Sequence, residues 1–194
     1  MKKYLAPIII LVLIAFFAMN TYNGLVGMDE KVNESWAKVE SSYQRRSDLI
    51  GNLVNTVKGA ADFEKNTLES VINARSKATS INIDPSNVTP EQLAQFNKAQ
   101  SGLTSALSRL LVTVERYPEL KANQNFLELQ SQLEGTENRI NVTRDRFNEA
   151  VKPYNTKLRS FPTVMFAGIL GFDKKPYYEA EEGSEKAPEV KFEF

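Results

Sequence analysis

Residues 44–57 read QRRSDLIGNLVNTV. In helical phase Ile50, Leu53 and Val57 share one face with Val39 and Tyr43 just upstream, and Arg46 falls on that face between them. The same steps of four and three run back through Trp36 to Val32, which is the spacing of a packing seam. A guanidinium inside an apolar seam needs a partner, and neither i±3 nor i±4 of Arg46 supplies a carboxylate. Its partner must come from elsewhere in the chain, so the search for it decides the fold.

Three more helical segments follow. Gly59 interrupts the first, and Asp62 is a candidate N-cap for a second in which Glu64, Leu68, Val71, Arg75 and Ala78 keep the spacing. INIDPSNVTP (residues 81–90) is a loop, after which Thr89, Pro90 and Gln92 form a helix start with a capping-box pair. The third helix carries Leu93, Phe96, Gln100, Leu103, Leu107, Leu110 and Val114 on one face. Pro118 restarts the chain, and the last helix carries Phe126, Leu133, Glu137, Ile140, Arg144, Phe147, Val151 and Tyr154. Pro153 is expected to kink it unless a neighbour compensates.

The seams thus contain Arg46, Glu64, Arg75, Gln100, Glu137 and Arg144, and none of the five charged ones has an opposite charge at i±3 or i±4. A chain break near residues 59–62 gives an antiparallel up-and-down four-helix bundle with short loops. Counting along its helices brings Arg46, Arg75, Gln100 and Glu137 to one height. A continuous first helix would instead hold Arg46 and Arg75 ~43 Å apart. The four-helix topology is preferred because it gives Arg46 a partner, expected to be Glu137 in a bidentate pair. Such a layer commonly sets helix register, and the alternative is a ligand or ion site.

Composition removes much of the usual chemistry. The 194 residues hold 24 Lys and Arg against 24 Asp and Glu, and no stripe of basic and aromatic residues marks a nucleic-acid surface. With no cysteine and no histidine, disulfides, thiolate catalysis and His-containing triads are excluded, and zinc or di-iron sites are disfavoured. No cofactor or metal is expected, and an enzyme working through Glu64 or Glu137 would lack a nucleophile.

Residues 4–28 carry no charge and include YLAPIIILVLIAFFAMNTY, enough apolar helix to cross a bilayer. No small-x-small cleavage pattern follows, so the reading is a single uncleaved anchor in the cell membrane rather than a signal peptide. Lys2 and Lys3 precede it, and Asp29, Glu30 and Glu34 outnumber Lys31 and Lys38 beyond it, which leans towards an exported bundle. The anchor also offers a face for homo-oligomers, without a strong small-xxx-small pattern.

SFPTVMFAGILGF (residues 160–172) is apolar but too short to span. The last helix returns towards the anchor, so Phe161, Val164, Met165, Phe166, Ile169, Leu170 and Phe172 are expected at the membrane interface or against a partner's anchor. Capping of the bundle's open end is the equal alternative. Residues 179–188 are polar and acidic, which predicts disorder, and EVKFEF alternates Val190, Phe192 and Phe194 as a strand would. The chain divides into an anchor and juxtamembrane segment (1–28), a bundle (29–160), a membrane-proximal segment (161–178) and an acidic flexible tail (179–194).

Several motifs together resemble one family. RRSDLIGNLVNTVKG, NARSKA, VERYPELKANQNFLELQSQLEGTENRI and RFNEAVKPYNTKLRSFP are similar to the LemA family of bacterial membrane-anchored helical proteins, over residues 22–178. Gly51 departs from it, standing where the family pattern usually has proline and leaving the helix looser. The resemblance implies one transmembrane segment and a helical bundle, with no established activity. Relatives linked to magnetosome membranes imply scaffolding or membrane organisation rather than catalysis. The family's motif residues map onto Arg46, Arg75 and Glu137. The expected function is a non-enzymatic scaffold or adaptor, bound to the lipid bilayer and to protein partners. The alternative is a small-ligand or anion sensor built on the polar layer.

Overall fold

The computed structural model describes residues 2–59 and 63–179. Their regular structure is all helical, with no strand among the described residues. The helices are α1 (Lys2–Lys58), α2 (Lys65–Ser80), α3 (Pro90–Val114), the single turn α4 (Pro118–Lys121) and α5 (Gln124–Arg159). Asp62 and the final alternation of Val190, Phe192 and Phe194 lie outside the described residues.

Anchor and first bundle helix are one element. α1 runs 57 residues without a break, roughly 85 Å at the usual helical rise. Side chains from Ile8 to Phe17 and that of Met19 stand exposed, whereas Leu25, Val32, Trp36 and Val39 are fully buried. α5 returns antiparallel along α1, α2 and α3 form a hairpin, and α2 also touches α1, which makes the up-and-down four-helix arrangement. Local chemistry starts and stops these helices. Thr89 and Gln92 form the capping box of α3, with Pro90 in its first turn, and the Asn123 side chain accepts from the Phe126 N–H to cap α5. Pro153 falls within α5, which continues to Arg159.

The core divides in two. On the anchor side Trp36, Tyr43, Phe96, Ile140, Phe147 and Tyr154 form one apolar cluster. Beyond it Ile50, Leu53, Val71, Leu103, Leu110 and Leu133 form another. Arg46, Gln100 and Glu137 follow Tyr43, precede Leu103 and precede Ile140 respectively, so the polar residues occupy the boundary between clusters.

Beyond α5 the chain makes a compact turn through a short 3-10 segment (Thr163–Met165) and then runs extended over residues 172–179. This strap goes back along α5: Asn155 exchanges two hydrogen bonds with Lys175, and Asn148 two with Tyr178. Lys175 and Tyr178 are buried. By sequence the strap belongs to the membrane-proximal segment (161–178) and the start of the acidic flexible tail (179–194). It is instead part of the bundle, because Tyr178 completes the ring cluster around Trp36 and Phe147.

Gly51 does not loosen α1, which is helical through it. It admits a neighbour instead: a Cβ at this position would lie 3.3 Å from Arg75 Cζ. Arg75 is held there by donating from Nε to the Ser47 carbonyl at 2.8 Å and by Asp48 at 3.6 Å. Alanine favours a helix interior over glycine by about 1 kcal/mol, and a flexible guanidinium can shift a few tenths of an ångström. Gly51→Ala is therefore expected to stabilise the bundle by about 0.5 kcal/mol in denaturant titration, rising towards ~1 kcal/mol in an Arg75→Met background. A destabilised single variant would mean that the close approach of Arg75 matters more than helix propensity.

Candidate functional site

Arg46 reaches from α1 into the boundary between the two clusters, with its side chain only 4% exposed. Nη1 donates to Glu137 Oε2 at 3.0 Å, to Oε1 at 3.3 Å and to Thr104 Oγ1 at 3.2 Å. Nη2 donates to Gln100 Oε1 at 2.7 Å and approaches the Gln100 carbonyl at 3.5 Å. Gln100 in turn donates from Nε2 to the Ala78 carbonyl at 3.3 Å, which brings the backbone of α2 into the network. The Tyr43 ring lies 5.0 Å from the guanidinium carbon. The pairing with Glu137 differs from the two-nitrogen fork expected: one nitrogen serves both carboxylate oxygens, and the second is taken by Gln100. Arg46 Nε is buried without a partner among the described residues.

Arg75 stands outside this layer. It lies near the same height, against Ser47, Asp48 and Gly51, but faces outward with 39% of its side chain exposed. The inward position expected for Arg75 is not the one it takes, because residue spacing fixes height along a helix better than azimuth around it. Glu64 sits at the start of α2 and pairs on the surface with Arg116 at 2.8 Å. Arg144 lies 4.6 Å over the Tyr178 ring and donates to the Glu179 carbonyl at 3.3 Å, so it clamps the strap. Burial pushes the Tyr43 and Tyr178 hydroxyls above the usual phenol range, which keeps both protonated at neutral pH.

A second buried ion pair went unread in the sequence. Lys175, its side chain 5% exposed, meets Asp29 Oδ1 at 3.0 Å and donates to the carbonyls of Pro85 and Ser86 at 2.7 and 2.8 Å. Three acceptors satisfy its three donors, the condition under which a buried ammonium is tolerated. One signal was available: steps of four and three carried back from Trp36 and Val32 land on Asp29 and then Leu25. Lys175 has no comparable signal, since an extended strap has no helical phase.

At the anchor end, the turn after α5 meets α1 directly. Phe166 packs on Phe17 with ring centroids 6.2 Å apart, and Phe172 packs edge-on to Tyr22 at 5.5 Å. Phe161, Val164, Met165 and Ile169 point outward, 80, 54, 61 and 85% exposed. Leu170 is half-buried, and Ala167 joins the core, so the same segment also closes the bundle end.

Of the clefts on the described surface, two border the helices that carry Arg46 and Glu137. A cleft of about 790 Å³ runs between α1 and α5, on the side of α1 turned away from Trp36 and Tyr43. Its floor is small, with Ala37, Ser41, Ser42 and Thr143, and Arg45, Arg139 and Arg146 stand around it. A smaller cavity of about 170 Å³ adjoins the Arg46–Glu137 pair, walled by Ile50, Leu107, Leu111 and Leu133. Among the described residues no cluster of His, Cys, Asp or Glu is suited to a metal ion.

The polar layer and the strap fall within a stretch of known type, since residues 35–192 match the profile of the LemA family. The chain belongs to the LemA family. Among its curated relatives, Magnetosome protein MamQ 2 of Paramagnetospirillum magneticum is 27% identical over 194 residues, 90% of this chain and 71% of that protein. Magnetosome protein MamQ of Magnetospirillum gryphiswaldense is 26% identical, over 91% and 72%. Protein LemA of Metamycoplasma hominis is 23% identical, over 86% and 73%. The LemA match begins inside α1, downstream of its apolar run. That run, with a mean hydropathy of 2.0 over its most apolar window, is long and apolar enough to cross a bilayer. Family and anchor together indicate a membrane-associated protein.

Proposed function

We propose that this LemA-family chain is a non-enzymatic, single-pass membrane scaffold or adaptor whose exported bundle binds an acidic segment of a partner protein in the α1–α5 cleft. The observation that carries the reading is the charge state of that cleft. Arg45, Arg139 and Arg146 make no ion pair among the described residues, while Lys38 is already bridged to Glu34 at 2.6 Å. Small residues between two long helices leave room for a third, and three uncompensated guanidinium groups suit carboxylates. They also disfavour a second copy of this cleft as the occupant. Because α1 is continuous, whatever binds the cleft is held at a fixed orientation to the membrane. Lys2 and Lys3 ahead of the span support the exported placement of the bundle.

The test is photo-crosslinking from Ser41 and Val142 in cells that carry the full chain. A discrete heterologous adduct is expected, kept in a triple Arg→Lys variant at 45, 139 and 146 and lost when the three become Glu. An adduct of the chain with itself, or one indifferent to charge reversal, would overturn the assignment.

A small-ligand sensor is the second reading, favoured by the cavity beside Arg46 and Glu137, which has the volume of a few water molecules or one small ligand. It stands behind the first because both terminal nitrogens of Arg46 are already committed to protein acceptors.

A further inference from the structure

The turn at residues 160–172 has three properties that belong together. It carries no charge, it touches the anchor, and it exposes large apolar side chains. Its position along the anchor gives it a depth. Tyr4 and Tyr22, both exposed, bracket the apolar run of α1 and lie ~27 Å apart along the helix, close to the hydrocarbon thickness of a bilayer. Phe17 lies five residues inside Tyr22, or roughly 7 Å deeper. Phe166 packs beside Phe17, and Phe172 beside Tyr22. The turn therefore straddles the level at which α1 leaves the hydrocarbon.

Its backbone suits that place. Irregular chain enters lipid only if its polar groups are satisfied internally. Most of its N–H groups, those of residues 164–167 and 170–172, donate to carbonyls of residues 160–168, while those of Gly168 and Ile169 do not. Arg159 on one side and Lys174 on the other are exposed, placed to reach phosphate while the apolar side chains between them go deeper.

We infer that this turn is a lipid-inserting wedge: Phe161, Val164, Met165 and Ile169 enter the leaflet on the bundle's side, next to the chain's own anchor. The chain then holds that leaflet at two points, the span and the wedge, and the bundle cannot swivel about α1. This goes beyond the adaptor reading and does not depend on it, since the cleft and the wedge lie on different parts of the molecule.

The natural chain has a single tryptophan, Trp36, buried in the core, so it provides a background shielded from lipid. Ile169→Trp and Phe161→Trp, each in the full chain, would be reconstituted in phosphatidylcholine–phosphatidylglycerol vesicles with bromines on the acyl chains. Val112→Trp, at an exposed site on α3, is the reference. Both wedge variants are expected to emit further to the blue and to be quenched at least about twofold more than the reference. The quenching should persist when protein is diluted in lipid. Quenching equal to that at Val112 would overturn the inference. So would a blue shift without quenching that disappears on dilution, which would make a second copy of the chain the occupant. Two independent tryptophan positions keep the test decisive if one variant fails to fold.

Discussion

Glu137→Leu is expected to lower the stability of the bundle by about 3 kcal/mol, and Arg46→Met by only about 2 kcal/mol, in denaturant unfolding of the detergent-solubilised chain. The asymmetry follows from burial. Arg46 is 4% exposed and Glu137 is 47% exposed. Removing the carboxylate leaves a buried guanidinium with only Thr104 and Gln100 as partners, and a buried charge without its counterion is costly. Removing the guanidinium leaves a carboxylate that water already reaches. What that variant loses is the donor to Gln100 Oε1, a buried acceptor left unpaired at a cost of about 1–3 kcal/mol. The sum of the two single losses should not appear in the double variant. Arg46→Met/Glu137→Leu is expected to be no less stable than Arg46→Met alone, because without the guanidinium the loss of Glu137 strands no further charge, and the Gln100 acceptor is unpaired in both variants.

The second large effect falls on the strap. Tyr178→Ala is expected to cost about 3–5 kcal/mol, the range for deleting a large buried ring. Tyr178 stacks on Trp36 at 6.1 Å, meets Phe147 edge-on at 6.0 Å and carries Arg144 over its face. Its backbone is fixed to Asn148 in both directions. Tyr178→Phe is expected to cost much less, about 1 kcal/mol, since it removes only the contact between the buried Tyr178 and Tyr43 hydroxyls. Thermal unfolding of the two variants side by side separates ring packing from the hydroxyl. A Phe variant as damaged as the Ala variant would show that the hydroxyl, rather than the ring, carries the stability.

What the sequence made legible is what repeats. Phase along α1, α3 and α5 placed Arg46, Gln100 and Glu137 on inward faces, and antiparallel counting brought them to one level. The break after Lys58 and the capping box at Thr89 were visible as local chemistry. Phase could not say how far round each helix a long side chain would turn, and so Arg75 was drawn into a layer it only borders. The role of Gly51 was invisible for the same reason: it depends on a guanidinium arriving from α2. The strap was missed because a single extended segment has no periodicity to read. Its three anchoring residues, Lys175, Tyr178 and Glu179, become meaningful only beside Asp29, Asn148 and Arg144. Apolar composition did point to residues 160–172, and the contact of Phe166 with Phe17 turned that composition into a depth.

On the proposed function, the charged layer sets the register of the bundle while binding takes place on the outer α1–α5 face. The most direct measurement is the Ser41 crosslinking yield in the Arg46→Met/Glu137→Leu double variant, taken together with its unfolding midpoint. A folded double variant that gives the full heterologous adduct is the predicted result. A folded double variant from which the adduct has vanished would contradict the claim and make Arg46 part of the binding site.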